Sequence, residues 1–144
     1  MSSKNSDILH ENLTYLIRGA IFNVANLYGK GFKENIYQAA LAEEFDKQKI
    51  PYKRETQITV YSLETGKPLG YYIPDFIVFD KIIVELKATD FTTVQHIEQE
   101  LSYLRISKYE VGLLINFNSK KLDIQRLIYT NDRKPFLKKT AIKV

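Results

Sequence analysis

The chain holds 144 residues, of which 44% are hydrophobic, with eight Phe and ten Tyr, enough for one domain with a packed core and too apolar for a disordered chain. It has no cysteine and two histidines far apart, His10 and His96, which excludes disulfides, thiolate zinc sites and a cysteine nucleophile, so any metal is to be held mainly by oxygen. The formal charge of +4 lies in residues 131–144, where Arg133, Lys134, Lys138, Lys139 and Lys143 outnumber the single acid Asp132; residues 1–130 sum to zero and by themselves point to no charged partner.

From Asp7 to Tyr28, the residues Leu9, Leu13, Leu16, Ile17, Ala20, Ile21, Val24 and Leu27 recur at three- and four-residue spacing, which predicts a long amphipathic helix with Ser6 or Asp7 as its N-cap. Gly29-Lys30-Gly31 stops it. A second helix, about Lys33 to Gln48, carries Ile36, Tyr37, Ala40, Leu41 and Phe45 on one side, and Pro51 closes it. Tyr52–Ser62 and Leu69–Phe79, rich in β-branched and aromatic residues, flank the turn residues Glu64-Thr65-Gly66-Lys67 and predict a β-hairpin. Asp80-Lys81 turns into a third strand, Ile82–Ala88, apolar on both faces apart from Glu85 and Lys87, as a central, covered strand is. Thr92–Lys108 returns to helical period through Val94, Ile97, Leu101 and Leu104, and Val111–Phe117 and Ile124–Tyr129 read as two further strands.

The order α-α-β-β-β-α-β-β describes one α/β domain over residues 1–130 and a basic tail over 131–144, the tail being either a solvated terminus or a phosphate contact. The helix between the third and fourth strands permits a parallel crossover in a mixed sheet. No apolar run approaches the roughly 20 residues that span a bilayer, and no leader pattern opens the chain, so a cytoplasmic protein without a membrane partner is expected.

Side-chain alternation in Ile82–Ala88 puts Ile83, Glu85 and Lys87 on one face and Val84 and Leu86 on the other. Charges on a strand that is otherwise built for burial need pairing or coordination, because taking an ion out of water costs several kcal/mol. A Glu85–Lys87 ion pair at the sheet margin meets that need. So does a metal. In the preceding strand Pro74-Asp75 interrupts a run of strand formers, and pairing through the Asp80-Lys81 turn sets Asp75 near Leu86, within diagonal reach of Glu85 or Lys87. Two carboxylates and a backbone carbonyl are what a hard cation binds, with water filling the rest of the octahedron.

Pro74-Asp75, nine residues, then Glu85-Leu86-Lys87 resembles the metal-site signature of the PD-(D/E)XK nuclease superfamily. Gly31-Phe32-Lys33-Glu34-Asn35-Ile36-Tyr37 is similar to the motif that names the GxxExxY proteins within it, although Glu34 is also placed as a first-turn acid favoured by the helix dipole and Tyr37 as a core aromatic. Gln99-Glu100-Leu101-Ser102-Tyr103 resembles the Gln-x-x-x-Tyr motif of RecB-like members, with positions 99 and 103 one helical turn apart.

The resemblance implies a restriction-endonuclease-like fold, a mixed sheet flanked by helices, and a Mg²⁺-dependent phosphodiesterase for which Mn²⁺ substitutes. Asp75, Glu85, the Leu86 carbonyl and Glu34 would hold the metal, Lys87 would activate water and stabilise charge on phosphate, and Gln99, Tyr103 and Tyr37 would position substrate. The expected partner is nucleic acid, with DNA as the polymer. Arg105, Lys108, Arg133 and Lys134 are candidate phosphate contacts or solvated cations; Tyr61, Tyr71 and Tyr72 stack on bases or fill the pleat; His96 joins the site face or is an ordinary helix residue. An accessory module that keeps the fold and binds nucleic acid without turnover is the alternative.

Overall fold

The structure, a computed structural model, describes residues 9–138. Helix α1 (Glu11–Tyr28) opens after His10, whose backbone is left-handed at φ 58°; the expected start at Asp7 lies outside the described residues. Its buried stripe is Thr14, Ile17, Ala20, Ile21 and Val24. Leu16 and Leu27, expected on that stripe, are 44% and 71% exposed. Leu16 lies one residue, about 100° of helix, away from Ile17, and Leu27 belongs to a last turn that runs past the buried segment.

The chain reverses at Gly29 and Gly31, both at positive φ (68° and 107°), a conformation that glycine adopts without a Cβ penalty. It enters α2 (Glu34–Gln48), which packs on α1 and buries Tyr37, Ala40, Leu41 and Phe45.

The expected hairpin forms, but each of its strands is broken. Tyr52–Ser62 becomes β1 (Tyr52–Arg54) and β2 (Ile58–Tyr61); Leu69–Phe79 becomes β3 (Pro68–Tyr72) and β4 (Phe76–Val78). The two breaks face each other. Pro74 has no N–H to donate to a ladder, and opposite it Glu55 turns left-handed at φ 49° and donates its N–H to the Asp75 carbonyl at 3.2 Å. Beyond the break, β2 and β3 form a separate two-stranded ribbon closed by Ser62, whose hydroxyl accepts from the N–H groups of Glu64 and Thr65.

The main sheet has the order β1-β4-β5-β6-β7, with β5 (Ile82–Lys87), β6 (Val111–Asn116) and β7 (Asp123–Ile128). Only β5 and β6 run parallel, joined by α3 (Val94–Arg105) as the crossover; the other neighbours are antiparallel. This is the α/β, restriction-endonuclease-like architecture that the sequence predicts. One face, with Phe76, Val84, Leu86, Leu113 and Ile115, packs against α1 and α2 in the larger core. The other carries Ile77, Ile83 and Leu127 under Leu104 of α3, and the ribbon adds Ile58 to that smaller core.

Of the residues 131–144 expected as a tail, 131–138 are described, and part of that stretch packs into the fold. Asn131–Arg133 form a 3₁₀ turn, and beyond it Phe136 is buried and stacks on Tyr61 at 5.1 Å between centroids. Lys134 is buried as well, its Nζ donating to the carbonyls of Ser107 (2.9 Å) and Tyr109 (2.7 Å), and burial pushes its pKa down to about 8. Among the described residues no helix is long and apolar enough to cross a membrane.

Candidate active site

The break at Pro74 places the first carboxylate. The β4–β5 ladder ends at the pair Phe76↔Val84, so Asp75 leaves the ladder there, and the next position along the same register is Glu85. That is one residue from the expected pairing with Leu86, because the loop between the strands is Phe79-Asp80-Lys81, with Phe79 and Asp80 left-handed at φ 57° and 56°. The Asp75 carboxylate fills the vacated ladder position: its Oδ2 accepts the Leu86 N–H at 2.8 Å. A strand residue's N–H and C=O point to the same edge. The Leu86 carbonyl therefore faces the gap that Asp75 occupies.

Helix α2 brings Glu34 in its first turn and, one turn later on the same side, Gln38, whose side chain hydrogen-bonds to Asp75. Burial raises the Asp75 pKa above the usual carboxylate range against the lowering effect of these hydrogen bonds and of Lys87. Glu85 is pushed up to about 7, first by burial and further by Glu34, with Lys87 and the hydrogen bonding at Asp75 opposing. Lys87 makes no ion pair with Asp75 or Glu85. The ion-pair account of Glu85 and Lys87 is thus not what the structure forms, and burial outweighs the hydrogen bonds and the Lys87 charge at both carboxyls.

Two asparagines tie the site's far side together. Asn116, paired with Lys87 in register, accepts from the Thr89 N–H (3.2 Å) and donates to Thr92 (3.4 Å), holding the loop after β5. Asn118 accepts from the Gly31 N–H at 2.8 Å and donates to the Phe32 carbonyl at 3.0 Å. Tyr37, expected to touch substrate, is fully buried: it stacks on Phe117 at 4.4 Å, and its hydroxyl donates to the Gly29 carbonyl at 2.6 Å. It ties down the Gly29 end of the loop that leads to Glu34.

Residues 11–127 match the PD-(D/E)XK nuclease superfamily. The chain belongs to that superfamily. No curated protein and no solved structure matches it. Membership carries a nuclease-type function, with nucleic acid as the substrate class, since PD-(D/E)XK proteins generally hydrolyse phosphodiester bonds and typically use divalent metals.

For a PD-(D/E)XK site the donor set is short but of the right kind. Asp75, Glu85 and the Leu86 carbonyl offer two carboxylates and one neutral oxygen at one strand edge, hard ligands that suit a small divalent cation completed by water. Among the described residues, however, no three His, Asp or Glu side chains stand close enough to hold a metal as a group. Glu34, expected as a further ligand, raises the Glu85 pKa but belongs to no such group.

The other expected contacts are scattered. Tyr103 is half-buried, its ring stacked on Tyr72 at 3.8 Å, and Gln99 lies exposed one turn before it. Arg105 is exposed at the end of α3 and shares a cleft with Arg133, whose guanidinium sits 3.9 Å over the Tyr129 ring; Lys108 stands 5.8 Å over Tyr61. Lys134, offered as a phosphate contact, is instead spent inside the fold on two carbonyls.

Two residues of the site escape sequence reading. Gln38 had a signal, its spacing of four from Glu34. Glu100 had none: it lies between Gln99 and Leu101 of the motif, yet it is 3% exposed, and its Oε2 has no hydrogen-bond partner. Burial raises its pKa well above the usual value, and Glu85 and Asp75 raise it further. A Cβ built on Gly112 of β6 would collide with Glu100 Oε2 and stand 3.2 Å from its Cδ, so the glycine leaves the room that the carboxyl occupies. His96, near enough to Lys87 and Glu34 to respond to both, caps α3: its Nδ1 accepts the Thr93 N–H at 3.3 Å.

Proposed function

We propose that this chain is a Mg²⁺-dependent nuclease of the GxxExxY type that hydrolyses phosphodiester bonds in DNA, with Mn²⁺ able to replace Mg²⁺. The observation that supports the reading is the Asp75 carboxylate at the vacated ladder position, bonded to the Leu86 N–H next to Glu85, with both carboxyls at raised pKa and neither ion-paired to Lys87. Carboxylates left in that state are stabilised by a cation, and a cation at this edge would be held by Asp75, Glu85 and the Leu86 carbonyl, with Glu34 adding negative charge from α2. When bound, it supplies a water of lowered pKa and neutralises charge on the phosphate. Lys87 would orient the attacking water and stabilise negative charge on the phosphate. Gln38 holds the Asp75 carboxyl in place, and Gln99 and Tyr103 on α3 are assigned to substrate positioning.

An accessory role, binding nucleic acid without cleaving it, is favoured by one observation, the lack of a third acid at ligand range among the described residues. The two readings part in a single assay. Purified protein is incubated with labelled linear duplex, circular and single-stranded DNA in Mg²⁺, Mn²⁺ or EDTA. Cleavage that follows the metal and disappears in Lys87→Ala supports the nuclease; binding to nucleic acid with no cleavage under Mn²⁺ transfers the conclusion to the accessory module.

A further inference from the structure

The balanced charge of residues 1–130 conceals a local imbalance beside the site. Lys30 and Lys33 lie on the loop that leads to Glu34, and Lys120 and Lys121 on the loop between β6 and β7. The loops are joined: Lys30 Nζ donates to the Lys120 carbonyl at 3.4 Å, and Asn118 bridges Gly31 and Phe32. The same Asn118 donates to the Ala88 carbonyl at 3.4 Å, next to Lys87, from where Thr89 hydrogen-bonds to the Phe91 carbonyl at 3.0 Å. Four lysines and two phenylalanines thus rim the end of the sheet where Glu34 and Lys87 stand. Of the acids nearby, Glu34 belongs to the site and Asp123 accepts from Gln125 through both oxygens (2.9 and 3.2 Å), which leaves Asp90 against the four cations.

The aromatic rings are as informative as the charges. Phe91 is 67% exposed and borders a cleft of about 630 Å³ whose lining also includes Lys120 and Lys121. Phe32 is 42% exposed, held edge-on by Tyr28 and Tyr37. Backbone phosphates need only cations, and bases inside a duplex have their faces stacked on one another; exposed rings interleaved with cations suit a strand whose bases are free.

We propose that this rim binds a single-stranded segment of nucleic acid at the site, its phosphates on Lys30, Lys33, Lys120 and Lys121 and a base stacked on Phe91. The inference rests on the nuclease reading for its purpose but not for its test. Fluorescence anisotropy in EDTA compares a labelled oligothymidylate, a hairpin duplex of the same length and an abasic strand, using wild type, Phe91→Ala and the double variant Lys120→Ala/Lys121→Ala.

Wild type is expected to bind the oligothymidylate about tenfold or more tighter than either other probe, and Phe91→Ala to weaken it roughly 5- to 150-fold, the worth of one stacked base. The double lysine variant should flatten the slope of log K against log salt by about 1.4, at about 0.7 per phosphate contact on a single strand. Equal or tighter binding of the duplex or of the abasic strand overturns the proposal, as does a Phe91→Ala protein that melts like wild type and binds the oligothymidylate unchanged. Preference for the single strand in a wild type that cleaves nothing under Mn²⁺ upholds the rim and fails the nuclease reading.

Discussion

Glu100 and Glu85 are the residues at which the fold works against itself. Both have a folded-state pKa above the unfolded value near 4.5, so the folded state prefers the protonated form. The penalty is absent below about pH 4.5, grows as pH rises, and is complete above the folded pKa. For Glu85, whose folded value is about 7, the cost by pH 8 is roughly 3 kcal/mol. Metal-free Glu85→Gln should therefore unfold at higher urea than wild type at pH 8, with the gap closing by pH 4.5. Glu100→Gln should behave likewise, because burial raises its carboxyl too. A gap independent of pH would show that neither carboxyl is desolvated as placed. The same titration bears on the metal: because a bound cation displaces the Glu85 proton, Mn²⁺ affinity by calorimetry should rise with pH up to about 7 and then level off, and Asp75→Ala should weaken it sharply. Flat affinity across that range would remove Glu85 from the ligand set.

Between elements, the site depends on where strands stop. Glu85 and Lys87 on one face, with Pro74-Asp75 a strand away, were legible because alternation and the poor strand propensity of that dipeptide are local properties of the sequence. The paired breaks at Glu55 and Pro74 were not, since a long hairpin and two short ones share one hydrophobic pattern and the left-handed turn at Glu55 carries no glycine to announce it. Gln38 and Glu100 reach the carboxylates only through the docking of α2 and α3 on opposite sides of the sheet. Tyr37 was misplaced for a similar reason, since whether a hydroxyl meets substrate or a carbonyl is decided by packing. The α3–β6 contact offers a direct check. Gly112→Ala alone forces the Glu100 carboxyl out of its place and should cost about 1–3 kcal/mol. Combined with Glu100→Ala it should cost less than the sum of the two single changes, read as a positive coupling in a urea double-mutant cycle. Additive losses would mean that the glycine is not there for Glu100.

Over the whole molecule, charge and aromatic surface are distributed by task rather than by segment. The net charge of +4 counted in residues 131–144 suggested a phosphate-tracking tail, yet Lys134 caps two carbonyls inside the fold and Phe136 is buried against Tyr61. The cations proposed to hold the strand come instead from two loops of the charge-balanced part, brought together by Asn118. Two phenylalanines therefore make a matched pair for testing which surface serves the fold and which serves the ligand. Phe136 is wholly buried, so Phe136→Ala removes a ring from a packed site and should cost about 3–5 kcal/mol. Phe91 is mostly in water, so Phe91→Ala should lie within about 0.5 kcal/mol of wild type. Urea midpoints at matched slope decide it. A Phe136→Ala protein as stable as wild type would return residues 131–138 to the status of a tail, whereas a large loss in Phe91→Ala would make that ring part of the fold and take it away from the strand-binding rim.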